Sequence, residues 1–173
     1  FGVFYIRRPG DERGRIFSIT AKRFPVVVGD GQRRLEELIL ADDRAVCMAP
    51  YYLEVNFDRL DVVPAIGERV QLVEIGNHCR GTVFLDGREH RTPELEDAIE
   101  VLAQRFDGFF FGRFDLRVPT VEQFRAGTGL RILELNGVTS EATHIYAPGA
   151  SLFAAYRTLF EQWRLAFEIG AAN

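Results

Sequence analysis

At 173 residues the chain has the length of one domain, and a chain of this size buries about 70% of its unfolded surface. Its 47% hydrophobic and 27% charged residues are those of an ordinary globular protein. A net charge of −4 provides no electrostatic footprint for nucleic acid or an anionic membrane, and no apolar run approaches the length of a membrane span. Cys47 and Cys79 are isolated and lack metal-ligand spacing, which points to a reducing, cytoplasmic setting and to buried or incidental thiols. Of 21 basic residues only Lys22 is a lysine, a bias that GC-rich coding mostly explains.

Phe1 to Arg8 reads as a strand, without an initiator methionine or signal peptide, as expected of a fragment of a longer protein. Pro9 to Gly14 is a turn, and Arg15 to Phe24 returns to complete a hairpin. Phe17 lies in that strand and Lys22 near its end. By residue type alone Phe17 is a core side chain and Lys22 a solvated charge. Val26–Val28, then Gly29-Asp30-Gly31, then Leu35, Leu38 and Ile39 at helical spacing give an apolar run, a turn and a helix. Such a loop could present amides to an anion, yet a tight turn explains the glycines equally well.

Residues 41–64 read as helical or irregular, with Cys47 and Met48 packing inward. Arg69 to Ile75 alternates like a strand. A polar loop, Gly76-Asn77-His78-Cys79-Arg80-Gly81, runs into the strand 82–85. Neither the number nor the spacing of ligands around His78 and Cys79 supports zinc. Pro93 to Phe106 is the clearest helix: Thr92 as N-cap, Pro93 first, Glu94 and Glu96 in the first turn, and Leu95, Ile99 and Leu102 on the buried stripe. A short helix over Thr120–Arg125 follows. Ser151 to Ile169 reads as a long amphipathic helix whose stripe of Leu152, Tyr156, Leu159, Phe160, Trp163 and Phe167 is expected to be core.

Two strands remain between the helices. In Phe109–Arg117, Phe110, Gly112, Phe114 and Leu116 share one face, and Phe111, Arg113, Asp115 and Arg117 the other. In Leu130–Gly137, Ile132, Glu134 and Asn136 share a face opposite Leu133 and Leu135. If the strands pair, Asp115, Glu134 and Asn136 converge beside the guanidinium of Arg113. Hard oxygen ligands in that number suit Mg²⁺, which keeps waters and takes substrate phosphates. Carboxylates on a strand's polar face are more usually solvated, so spacing alone does not separate the two readings.

Gly112-Arg113-Phe114-Asp115, then Ile132-Leu133-Glu134-Leu135-Asn136, then Thr143-His144-Ile145-Tyr146-Ala147-Pro148 together resemble the end of an ATP-grasp carboxylate–amine ligase. The pattern is similar to D-alanine–D-alanine ligases and to cyanophycin synthetase and glutathione synthetase-like ATP-grasp domains. The resemblance implies an α+β fold, a mainly antiparallel sheet carrying the site, with the helices 93–106 and 151–169 packed on the opposite face. It implies that residues 1–173 are the C-terminal portion of the domain, that the upstream nucleotide-binding half is missing, and that the portion alone is inert. The cofactors implied are ATP and Mg²⁺, with Mn²⁺ as the alternative ion, and the partners a small carboxylate and an amine; oligomeric state is left open.

By resemblance the metal ligands are Asp115, Glu134 and Asn136, and Arg113 is catalytic. Lys22 and Arg80 would meet ATP phosphates, Phe17 and Leu133 would line the nucleotide pocket, and Thr143 and His144 would bind the second substrate. The Gly29-Asp30-Gly31 segment and the loop around Asn77 and Arg80 resemble cyanophycin-synthetase-like members; a plain surface role for Arg80 fits equally. Gly137–Glu141 departs from the D-alanine ligase pattern, and Glu141 favours a cationic substrate group. The alternatives are a non-catalytic nucleotide- or metal-binding module and an ATP-dependent kinase of a small molecule.

Overall fold

The computed structural model describes residues 1–76 and 78–172, and only the backbone of His78. Asn77, which the resemblance to cyanophycin-synthetase-like members would set near nucleotide phosphates, lies outside the described residues. The chain divides into two compact units, Phe1–Ala21 with Phe84–Asn173, and Lys22–Val83.

The first unit is built on a five-stranded sheet in the order β5-β2-β1-β6-β7. Its strands are β1 (Gly2–Ile6), β2 (Arg15–Arg23), β5 (Val83–Asp86), β6 (Phe111–Arg117) and β7 (Arg131–Asn136). The pairs β1–β2, β1–β6 and β6–β7 run antiparallel. An apolar run with no alternation, Val3-Phe4-Tyr5-Ile6, makes β1 the central strand, buried on both faces.

Each face has its own core. Val3, Tyr5, Ile16, Ile19, Phe114 and Leu116 pack against α3 (Pro93–Ala103) and α4 (Val121–Arg125) through Leu95, Ile99, Ala103 and Phe124. Both helices start on a threonine: Thr92 Oγ1 accepts from Leu95 N–H at 3.1 Å, and Thr120 Oγ1 from Gln123 N–H at 3.2 Å. On the other face Phe4, Ile6 and Phe111 pack against Ala142 and against Leu165 and Ile169 of α5 (Leu152–Ala172).

The α+β, antiparallel architecture is the expected one, but α5 is not where the sequence put it. It lies on the face opposite α3, because Leu165 and Ile169 match Phe4, Ile6 and Phe111 on β1 and β6. Nor is its aromatic stripe core. Tyr156, Phe160, Trp163 and Phe167 are exposed, and the helix buries Gln162, Leu165 and Ile169 instead.

The second unit pairs β3 (Val26–Val28) with β4 (Arg69–Gln71) and packs Val27, Val70 and Leu72 on α1 (Leu35–Ala41) and α2 (Ala49–Val55). Met48 packs on that core as expected, whereas Cys47 is exposed, as is Cys79. Among the described residues no helix is long and apolar enough to cross a membrane.

Candidate functional site

The β6–β7 ladder sets Arg113 directly across from Asn136 and Asp115 directly across from Glu134. Residues opposite one another in an antiparallel pair project to the same face. On β1 that face continues through Gly2, across from Asp115, and Phe4, across from Arg113. The four polar residues singled out in the sequence therefore share one surface, beside the part of the sheet that α5 covers.

Two glycines make room for this arrangement. At Gly112 the backbone adopts a φ of +156°, and a Cβ there would stand 2.2 Å from the carbonyl oxygen of Asn136. Only glycine lets β7 approach so closely. At Gly2 a Cβ would come within 3.1 Å of Arg113 Cδ and 3.2 Å of Asp115 Oδ1, so the bare backbone of β1 is the floor on which that pair lies.

Arg113 and Asp115 form a partly buried ion pair, with side chains 14% and 10% exposed. Arg113 Nε donates to Asp115 Oδ1 at 3.0 Å and Nη2 to Oδ2 at 3.4 Å, while Nη1 reaches the Glu141 carbonyl at 2.8 Å. The planar guanidinium thus joins the carboxylate to the loop after β7, which a lysine could not do with the same geometry. Glu134 is exposed. Asn136 is half-buried, and its buried Nδ2 has no hydrogen-bond partner.

Within β7 the pairing slips. Asp115 faces Glu134 but Leu116 faces Ile132, which leaves Leu133 as an extra residue. This bulge turns Ile132 to the α3 side with Leu135, not to the side of Glu134 as strict alternation predicts. Leu133 is left 68% exposed. Among the described residues no group of three or more His, Cys, Asp or Glu could hold a metal ion. The set here consists of two carboxylates and one amide.

The loop 137–148 is held from three sides. Gln162 of α5, fully buried, accepts from Ala142 N–H at 2.9 Å and donates to the Ser140 carbonyl at 3.0 Å. Arg113 binds Glu141 from below, and Thr143 Oγ1 donates to Thr20 Oγ1 at 3.1 Å. Tyr146 O–H donates to Glu141 Oε2 at 2.6 Å, which raises the tyrosine pKa. His144 is pushed below its ordinary value by burial, against the attraction of Asp86 and with the help of Arg88. Its Nδ1 is buried without a partner.

Phe17 is half-buried on the site's face, edge-on to Phe4 with ring centroids 5.7 Å apart. Lys22, at the end of β2, and Arg80 fall in the second unit, and the other site candidates in the first. The Arg80 guanidinium lies 5.7 Å from the centroid of the Tyr51 ring. The Gly29-Asp30-Gly31 loop satisfies itself: Asp30 Oδ1 accepts from Gln32 and Arg33 N–H at 2.9 and 2.8 Å. Gly29 and Gly31 N–H donate to the carbonyls of Glu68 and Pro64. Its amides serve the turn.

Sequence reasoning overlooked Gly2 and Gln162. Gly2 carried a signal, a glycine inside an apolar strand, whereas Gln162 lies off the face that the helical pattern points inward and carried none.

No family model matches the sequence, and no curated protein matches it significantly. Among solved structures, a bifunctional glutathione synthetase from Pasteurella multocida aligns with a TM-score of 0.53 and 17% identity. The alignment covers 94% of this chain and 24% of that one, so the chain spans about a quarter of the relative's length. At that identity the likeness is one of fold: the chain is folded like part of that synthetase.

Proposed function

We propose that the chain is the C-terminal portion of an ATP- and Mg²⁺-dependent carboxylate–amine ligase. The observation that carries the proposal is the β6–β7 register, which brings Arg113, Asp115, Glu134 and Asn136 to one face. The fold likeness to a quarter of a glutathione synthetase supports it from a separate direction.

In this reading Asp115, Glu134 and Asn136 hold the divalent cation. The donor set fits: all three offer hard oxygens, and the buried Asn136 Nδ2 lacks the acceptor that a ligand oxygen would supply. A cation held by these three residues would supply positive charge to offset the negative charge that develops during phosphoryl transfer. The acid substrate's carboxylate attacks the γ-phosphorus of ATP, giving an acyl phosphate and ADP, and the amine then attacks the acyl carbon and expels phosphate.

Arg113 is the residue assigned to developing negative charge. Asp115 and the Glu141 carbonyl hold its guanidinium in place before the reaction, so little reorganisation is needed when charge appears. Removing one such donor costs about 3 kcal/mol, or roughly a hundredfold in rate. Thr143 and His144 are assigned to the second substrate, and Glu141 favours its cationic amine. Lys22 and Arg80 are assigned to ATP phosphates, Phe17 and Leu133 to the nucleotide pocket.

The test uses a full-length protein that contains this chain, assayed for ADP release with candidate acids and amines. Asp115→Asn and Glu134→Gln should each abolish release while circular dichroism shows the fold retained. Wild-type turnover in both would sink the proposal. Tight Mg·ATP binding without phosphate release under any acid–amine pair would favour a binding module, and ADP release with no amine, leaving a stable phosphorylated product, a kinase.

A further inference from the structure

α5 has a second organised face that the first unit leaves bare. Phe153, Tyr156, Phe160, Trp163 and Phe167 follow one another at steps of three, four, three and four residues. That is a seam of period 3.5, the spacing by which two helices keep an apolar stripe in mutual contact. All five are between 50% and 85% exposed, and Leu152 beside them is 67% exposed. The same helix packs on its own sheet through Gln162, Leu165 and Ile169, on its other side. Half or more of each seam side chain therefore lies outside the unit's own packing.

We propose that this seam is a homodimer interface, in which α5 packs antiparallel against α5 of a second copy about a two-fold axis. Area favours this occupant. Aromatic side chains bury about 150–250 Å² each, so the six exposed residues offer roughly 700–800 Å² per copy. Two copies then bury roughly 1,500 Å², the size of an ordinary stable protein–protein interface. A patch of that size exceeds the few hundred Å² that monomers usually leave in water.

The pattern also fits itself. With the axis between Phe160 and Trp163, Phe160 meets the partner's Trp163, and Tyr156 meets the partner's Phe167. The same contacts occur twice, as an isologous interface requires. One edge of the seam carries Arg157, Glu161, Arg164 and Glu168, and its glutamates pair within the unit, Glu168 with Arg8 at 2.9 Å and Glu161 with Arg15 at 3.8 Å.

Sedimentation equilibrium of the chain from 1 to 100 µM, with Trp163 fluorescence followed over the same range, tests the proposal. The expected result is a dimer with micromolar or tighter affinity, and Trp163 emission that shifts to the blue as the dimer forms. Phe160→Glu and Trp163→Glu replace exposed residues, so each should retain the wild-type circular dichroism while self-association weakens at least a hundredfold. A wild-type chain that stays monomeric at 100 µM, with red-shifted Trp163, would overturn the proposal and leave the seam to another segment or protein. A dimer unaffected by both substitutions would overturn it too, since association would then run through a different face.

Discussion

Gln162 offers the sharpest quantitative check on how the site loop is held. It is fully buried, and among the described residues it is what satisfies the Ala142 N–H and, through Nε2, the Ser140 carbonyl, at 2.9 and 3.0 Å. Gln162→Leu keeps the size of the side chain and removes both partners. Each buried peptide group left without a hydrogen bond costs about 1–3 kcal/mol, and the added apolar packing returns a part of that. A net loss of about 2–4 kcal/mol follows. For a chain of this size 1 kcal/mol corresponds to about 2–4 °C, so the melting temperature should fall by roughly 5–15 °C. Thermal melts read by fluorescence of Trp163, the residue next to Gln162 and in the same unit, measure this directly. Glu161→Gln, an exposed neighbour, serves as the control and should shift the melt by less than about 2 °C. Limited proteolysis should also cut the 137–148 loop sooner in Gln162→Leu. If Gln162→Leu melts with the wild type, the loop is not anchored through α5.

The remaining predictions concern the strands, the loop and one helix start. Gly112→Ala places a methyl group 2.2 Å from the Asn136 carbonyl at a φ that suits glycine, and should cost about 2–4 kcal/mol in urea denaturation; a loss below 0.5 kcal/mol would mean that β7 is not held this close. His144 titrates below its ordinary value, so on acidification the unfolded chain takes up the proton first. The associated stability is complete above the unfolded value near 6.5 and is lost as pH falls through the lower folded value. His144→Gln should therefore flatten the fall in melting temperature between pH 7.5 and 5, and an unchanged slope would contradict the burial argument. Thr92→Ala removes the N-cap of α3 and the hydroxyl's hydrogen bond to the Arg125 carbonyl. It should destabilise by about 1 kcal/mol, while the exposed Thr128→Ala should have no measurable effect.

Much of the fold was legible because local chemistry decides local structure. Thr92-Pro93-Glu94 starts α3 as written, since capping needs only neighbouring atoms. The alternation in β6 put Arg113 and Asp115 on one face, since side-chain direction along a strand follows from the backbone alone. The juxtaposition of Asp115 with Glu134 was readable as a condition: if those strands paired, the residues would meet. The pairing itself, and the bulge at Leu133 that turns Ile132 away, were not readable. A register shift depends on how one strand fits its neighbour, and the apolar pattern of β7 accommodates either alignment.

The α5 helix marks the limit most clearly. Its sequence carries two apolar faces, one of large aromatics and one of Leu165 and Ile169 around Gln162. Periodicity identifies a helix with something to bury, and the larger side chains are the natural guess for the inside. The tertiary structure chose the smaller set, because the space above Phe4, Ile6 and Phe111 accepts aliphatic side chains and because the loop beside it exposes an N–H and a carbonyl that only an amide like Gln162 can satisfy. Sequence determined which elements form and which way their side chains alternate. Which faces meet was decided by shape and by unpaired backbone groups brought together from distant parts of the chain, and no local pattern contains that information.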